Sequence, residues 1–149
     1  MQPDLRIPLR DFLINHARQY DLAVTLTLKQ QDGPTTLDRI EAAKNLRHFF
    51  NRLNKQAFGN AAQRFGKKVG VISMLETSCA NRLHYHLAMK NPFPTTAACH
   101  EAVVDCWSKT RWGYHEVDLQ PIYSSGWISY ITKSKFIDGW DVENTHLVR

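Results

Sequence analysis

Two histidines separated by one residue are the best candidates for chemistry in this 149-residue sequence. His84 and His86 lie in the apolar run 83–87, whose other members are Leu, Tyr and Leu. Because successive side chains of a β-strand point to opposite faces, both imidazoles would share one face and the apolar side chains the other. Two adjacent imidazoles on one face of a sheet form half of a metal site. The sequence must therefore supply a third ligand.

A carboxylate for that position is predicted from the pairing of two strands. A polar turn connects the strand that ends at Glu76 to the histidine strand, so the two form a β-hairpin. If the turn is centred on Ala80, Glu76 lies opposite His84, and directly opposed residues share a face. One carboxylate and two imidazoles suit Mn²⁺ or Mg²⁺, with Zn²⁺ as an alternative, and leave coordination positions for substrate oxygens.

Tyr130 and Lys133 are candidates for a nucleophile and its electrostatic partner. They are three residues apart in a predicted helix at about 125–137, and so lie on one helical face. A nearby cation lowers the cost of forming the phenolate. Attack on a phosphodiester would give a phosphotyrosine, with the metal polarising the nonbridging oxygens and Lys133 offsetting the developing charge.

The apolar periodicity predicts four strands and four helices in a single domain, 1–149. The predicted elements are an N-terminal helix at about 8–20, strands at 22–28, 69–76, 82–90 and 112–119, helices at about 35–59 and 95–109, the tyrosine helix, and a polar tail at 138–149. Between about 22 and 120 the order is β-α-β-β-α-β, which predicts a ferredoxin-like or RRM-like α+β fold with a central antiparallel sheet and both long helices on one face. The Thr-rich first strand and the histidine strand would be central neighbours, with the Glu76 strand on the other side of the histidines.

Hydroxyl side chains and glycine predict where the two long helices begin and end. Thr35 or Thr36 can cap the first helix, which would end at Gly59. Thr95 or Thr96 can cap the second helix in the same way.

The composition is typical of a soluble globular protein, with 43% hydrophobic and 22% charged residues. A formal charge of +5 favours polyanionic partners. Three cysteines without a Cys-x-x-Cys pair indicate neither a disulfide framework nor a thiolate zinc site. The N-terminus matches no signal peptide, and no apolar run is long enough to cross a bilayer. We therefore expect a cytoplasmic protein with no membrane partner.

Basic residues are numerous around the predicted hairpin and the connection before it. A groove for the DNA backbone would need positive charge there, although each residue singly is better explained as solvated surface. The candidates for DNA binding are Arg64, Lys67, Lys68, Arg82 and Lys90.

The ordered motifs resemble those of the HUH (His-hydrophobic-His) endonucleases, and among them the single-tyrosine rolling-circle replication initiators. The three motifs of that family correspond here to the Thr-rich run 24–28, His-Tyr-His at 84–86 and Tyr-Ile-Thr-Lys at 130–133. Family members often take a third metal ligand from an acidic residue several positions before the first histidine, as Glu76 would be. Gly126 and Ser134 occupy the positions where two-tyrosine members carry a second tyrosine.

The resemblance implies that Tyr130 cuts single-stranded DNA at an origin, stays attached to the 5′ phosphate and leaves a free 3′ hydroxyl. The implied partners are single-stranded DNA or an origin hairpin and a host polymerase. Because no helicase domain follows in this sequence, we expect either a host helicase as partner or an isolated domain.

Two other functions fit parts of the pattern. A single-tyrosine transposase or a plasmid relaxase would use the same chemistry, but relaxases usually add a third histidine and place the tyrosine near the N-terminus. A non-catalytic ferredoxin-like module would bind single-stranded DNA or RNA on its sheet through stacking aromatics. The predicted strand instead presents imidazoles on that face and sends Tyr85 to the core.

Overall fold

A computed structural model describes residues 6–16, 19–78, 82–122 and 139–148. Its elements in chain order are helix α1 (Arg6–His16), strands β1 (Leu22–Leu28), β2 (Gln31–Asp32) and β3 (Thr35–Thr36), helices α2 (Arg39–Phe58) and α3 (Asn60–Arg64), strands β4 (Val71–Thr77) and β5 (Leu83–Met89), helix α4 (Thr96–Ser108) and strand β6 (Gly113–Pro121). Four strands form an antiparallel sheet in the order β4-β5-β1-β6, and β2 pairs with β3 in a separate small hairpin. The predicted α+β, ferredoxin-like core is confirmed, with β1 and β5 at the centre of the sheet.

The hydrophobic core lies between one face of the sheet and helices α2 and α4. Alternate residues of β1 are fully buried, as a strand with one core face requires. The rings of Phe49 in α2 and Trp107 in α4 meet edge-on with centroids 5.4 Å apart. The Trp107 indole N–H also donates to the main-chain oxygen of Thr27, at 2.8 Å. Each large apolar side chain buried here contributes about 1.5–3 kcal/mol, so this face fixes how the strands are oriented.

Side-chain caps set the starts of both long helices. Asp38 accepts the N–H of Glu41 at 2.8 Å at the start of α2, and Thr95 caps α4 in the same way, as predicted. The predicted cap for α2, Thr35 or Thr36, is wrong because both residues pair in the β2–β3 hairpin. No helix among the described residues is long and apolar enough to span a membrane.

The face of the sheet opposite α2 and α4, termed the open face, has an apolar half and a polar half. In the apolar half, buried side chains of β4, β5 and the chain before β1 pack against α1, the end of β6 and the C-terminal residues. This cluster comprises Tyr20, Ile72, Met74 and Ala88, with Ile14, Ile122, Trp140 and Val148 packed against it. Helix α1, predicted at about 8–20, therefore acts as a packing element.

Residues 139–148, termed the C-terminal segment, pair with the outer edge of β4. The N–H of Leu75 donates to the main-chain oxygen of Gly139 at 2.8 Å, and Val71 and His146 exchange two main-chain hydrogen bonds of 2.7 and 2.8 Å. The sequence led us to expect a polar tail here. The structure shows a partner of the sheet instead, in which the polar Asn144 is buried.

A buried hydrogen-bond network ties the C-terminal segment to the histidine strand. The hydroxyl of Tyr85, a fully buried side chain of β5, donates to Asp141 at 2.8 Å. The Asn144 amide donates to Asp141 at 2.8 Å and to the main-chain oxygen of Ala43 at 3.1 Å. Burial and the Asp141 carboxylate raise the pKa of Tyr85 well above its ordinary value, so this phenol stays a donor.

We expect Tyr85→Phe to lower the free energy of unfolding by about 1–3 kcal/mol, because Asp141 loses its phenolic donor in a buried site. The measurement is urea unfolding followed by circular dichroism. Tyr114→Phe, at a partly exposed position of β6, is the matched control and should leave the midpoint unchanged. Equal midpoints for the two variants would contradict a stabilising role for the network.

Candidate metal centre

Pairing of three strands brings the predicted metal ligands to the open face. In the β4–β5 hairpin Glu76 lies opposite His84, so the predicted register is confirmed. The N–H of Ser78 donates to the main-chain oxygen of Arg82 at 2.8 Å, which extends the pairing toward the turn. On the other side of β5, Thr25 of β1 lies opposite His86.

Glu76, His84 and His86 form the candidate metal centre. The Oε2 atom of Glu76 lies 2.8 Å from Nε2 of His84 and 2.5 Å from Nε2 of His86. The two Nε2 atoms are 3.2 Å apart. Each side chain is 15–19% exposed, so the group is sheltered but accessible. Within the described ranges, this is the one group of three potential metal ligands whose ligand atoms all lie within 4.8 Å of one another.

The separations between these ligand atoms fit one triangular face of an octahedron. Neighbouring ligands about 2.0–2.1 Å from an octahedral ion are about 2.8–3.0 Å apart, whereas tetrahedral neighbours at that distance are about 3.3–3.4 Å apart. The three measured separations of 2.5, 2.8 and 3.2 Å are closer to the octahedral values. The group can therefore hold a divalent ion and leave up to three positions for oxygen ligands.

His86 is prepared to act as a neutral ligand. Burial, with a smaller contribution from the neighbouring His84, holds the pKa of His86 below its ordinary value. Its Nδ1 atom lies 3.2 Å from the hydroxyl of Thr25. When Nε2 binds a cation, Nδ1 carries the proton and donates to that hydroxyl, which orients the ring.

Thr25 is a residue of this site that the sequence analysis left without a role. The signal was present in the predicted topology, because alternating threonines on the strand next to the histidine strand must share the face of the imidazoles. Thr27, two residues along, makes a different contact, since its hydroxyl donates to the main-chain oxygen of Glu116 at 2.6 Å.

The predicted DNA-binding residues separate into distant groups. Arg82 is at the end of the β4–β5 turn, close in sequence to His84, and Arg64 ends α3. A cavity at the other end of β4 and β5 is lined by Lys67, Lys68 and Lys90. Six residues of β4 separate Gly70, in that cavity, from Glu76, which corresponds to about 20 Å at ~3.3 Å per residue. The structure therefore does not bring these lysines to the candidate metal centre.

Tyr130, Lys133 and the predicted helix at 125–137 lie outside the described residues. The described residues on either side are held at opposite edges of the sheet. Beyond β6, the N–H of Ile122 donates to the main-chain oxygen of Asp21 at 2.8 Å. Gly139 is hydrogen-bonded along the outer edge of β4.

We expect Thr25→Val to weaken Mn²⁺ binding about tenfold, because valine keeps the side-chain shape but removes the acceptor for the His86 ring. Isothermal titration calorimetry measures the affinity. Thr25→Ser should bind like the unchanged protein, and Thr27→Val is the matched control on the same face. Similar affinities for Thr25→Val and Thr27→Val would contradict the orienting role.

Comparison with known proteins gives a family for this chain. The model of the replication-associated protein ORF2 family matches residues 21–135. That range contains the four strands of the sheet, both long helices and all three ligands of the candidate metal centre. Searches of curated proteins and of solved structures gave no match. Because the matched range covers well over half of the sequence, the chain belongs to the replication-associated protein ORF2 family.

Proposed function

We propose that this protein cuts and rejoins single-stranded DNA through a covalent 5′-phosphotyrosine at Tyr130, with the help of a divalent metal ion. In this proposal it initiates rolling-circle replication of a plasmid or a phage. The observation that carries the proposal is the convergence of Glu76, His84 and His86 on the open face of a replication-associated protein. A structural zinc site is closed by four protein ligands. The described residues supply three, which suits a centre that also binds substrate oxygens.

The ligand set favours Mn²⁺ among the divalent ions. Imidazole nitrogen is a poorer partner for Mg²⁺, which prefers oxygen ligands, and the separations between ligand atoms fit Zn²⁺ in tetrahedral geometry less well. A bound ion would act as a Lewis acid on the nonbridging oxygens of the scissile phosphate.

In the proposed step, the phenolic oxygen of Tyr130 attacks the phosphorus atom. The new O–P bond forms as the P–O3′ bond breaks; solvent accepts the phenolic proton, and the released 3′ oxygen takes up a proton. Lys133 offsets the negative charge that develops on the phosphate. The reverse attack by a 3′ hydroxyl rejoins the strand and frees Tyr130.

The flanking residues support a role for Tyr130 at this centre. Ile122 and Gly139 lie at opposite edges of the sheet, and the strands that carry the three ligands are β4 and β5. We propose that the chain between these two residues brings Tyr130 to the centre.

The open face argues against a non-catalytic binding module. Such modules present stacking aromatics at the centre of the sheet. The two central strands here present Thr25 and Thr27 from β1 and His84 and His86 from β5. Tyr85 points into the core. The family match favours replication over transposition or plasmid transfer for the same chemistry.

The decisive prediction concerns the covalent intermediate. Incubation with a pool of random-sequence single-stranded oligonucleotides and Mn²⁺ should give a protein–DNA adduct on a denaturing gel. Tyr130→Phe should abolish the adduct because it removes the attacking oxygen, and a chelator should prevent it. Tyr114→Phe should leave it unchanged. An adduct that survives Tyr130→Phe, or no adduct from the unchanged protein, would refute the proposed chemistry.

A second prediction isolates the metal. Mn²⁺ at about 100 times its dissociation constant should stabilise the folded protein by about 2.7 kcal/mol, which raises the melting temperature. Glu76→Gln should remove most of this increase because it replaces the anionic ligand. Glu116→Gln, an exposed carboxylate change on β6, serves as the control. If Glu76→Gln is stabilised as much as the control, Glu76 is not a ligand.

A further inference from the structure

A cavity of about 940 Å³ lies at the end of β4 and β5 farthest from the candidate metal centre. We term it the lysine cavity. Its walls come from the end of α2, the connection before β4, the residues after β5 and the C-terminal segment. The residues that the argument uses are Phe65, Lys67, Lys68, Gly70, Lys90 and Val148.

The walls of the lysine cavity are positively charged. Lys67, Lys68 and Lys90 contribute three ammonium groups, and no Asp or Glu is among the described residues that line it. The Nζ atom of Lys90 lies 3.5 Å from Asp21, outside the cavity, in an ion pair whose side chains are about half exposed. Such an exposed pair is weak, so Lys90 can exchange it for an anionic ligand.

An exposed aromatic ring adjoins these charges. Phe65 is 81% exposed, which is unusual for so large an apolar side chain. Nearby, the Nζ atom of Lys67 lies 4.8 Å from the ring centroid of Phe58, a residue that also lines the cavity. Ammonium groups beside aromatic faces are the combination that proteins use to hold the backbone and the bases of single-stranded nucleic acids.

Close packing of the C-terminal segment builds one wall of the cavity. A Cβ atom at Gly70 would lie 2.5 Å from Cγ2 of Val148, so only glycine allows this approach. The N–H of Val148 donates to the hydroxyl of Tyr20 at 3.3 Å, and the N–H of Lys90 donates to Gly70 at 2.8 Å. The wall is thus fixed to both β4 and the chain before β1.

We propose that the lysine cavity binds single-stranded DNA that flanks the cut site, with the lysines on phosphates and Phe65 stacked on a base. The choice of DNA as the ligand rests on the proposed function; the charge and the exposed ring do not. The separation of about 20 Å from Glu76 corresponds to about six stacked nucleotides at ~3.4 Å each. The cavity therefore contacts the strand several nucleotides from the reacting phosphate.

The test measures DNA binding without cleavage. Fluorescence anisotropy in EDTA follows a labelled 20-nucleotide single strand at several salt concentrations. Lys67→Gln with Lys68→Gln should reduce the slope of log affinity against log salt by about 1.4, since each phosphate contact on a single strand contributes about 0.7. Phe65→Ala should weaken binding about fivefold with no change in slope.

Controls separate the cavity from general charge and surface effects. Lys44→Gln with Lys109→Gln removes the same charge from exposed positions on α2 and at the end of α4, and should keep the original slope. Ile40→Ala is the control for Phe65→Ala, because Ile40 is also an exposed apolar side chain.

Three outcomes would overturn the proposal: no binding of single strands by the unchanged protein, equal slopes for the two lysine pairs, or displacement of the DNA by polyglutamate at lower concentrations than by unlabelled DNA. The last would indicate an acidic protein partner. The adduct assay tests the proposed function separately. If adducts form while both lysine pairs bind alike, the proposed function stands and the cavity proposal fails.

Discussion

The hydrogen-bonded register of β4, β5 and β1 is the constraint on which the candidate metal centre depends. Side chains alternate between the two faces, so a slip by one residue would move the histidines of β5 into the core. The opposite face of β5 carries Leu83, Tyr85 and Leu87, which are buried against the helices. Their burial, about 1.5–3 kcal/mol each, therefore also holds His84 and His86 on the open face. The hydrophobic effect sets the position of the polar site.

Three polar side chains are crowded at this site. Two imidazoles and a carboxylate lie within about 3 Å of one another, on a sheet whose other half is apolar. Protonation of both imidazoles would place like charges side by side, and the direction of the His86 pKa reflects that cost together with burial. A cation that all three groups can share removes the conflict. The fold thus presents a neutral, oriented His86 where an ion can bind.

The sequence predicted the sheet and the register because both follow from short-range signals. Period-two alternation identified the faces, and the five-residue turn around Ala80 fixed which residue lies opposite His84. The cap of α2 depended on whether Thr35 and Thr36 pair in a small hairpin, which the helical pattern does not encode. Asp38, two residues later, then becomes the cap.

Long-range placement explains the other differences. The C-terminal segment has no strand-like alternation, because it pairs with β4 through isolated bridges and buries Asn144 in a polar network. The positions of the lysines depended on which end of β4 each connection joins. Sequence proximity to the strands was therefore not enough to place Lys67 and Lys68 relative to Glu76.

Pairing between the C-terminal segment and β4 also affects how the molecules behave toward one another. An uncovered edge strand offers a row of free main-chain donors and acceptors, which can template intermolecular β-sheet and aggregation. Here the main-chain groups of Val71, Ser73 and Leu75 are bonded to the segment. The edge beside the candidate metal centre is thus closed to strand addition by a second molecule, and copies assembled along one DNA strand can lie close together without joining their sheets through it.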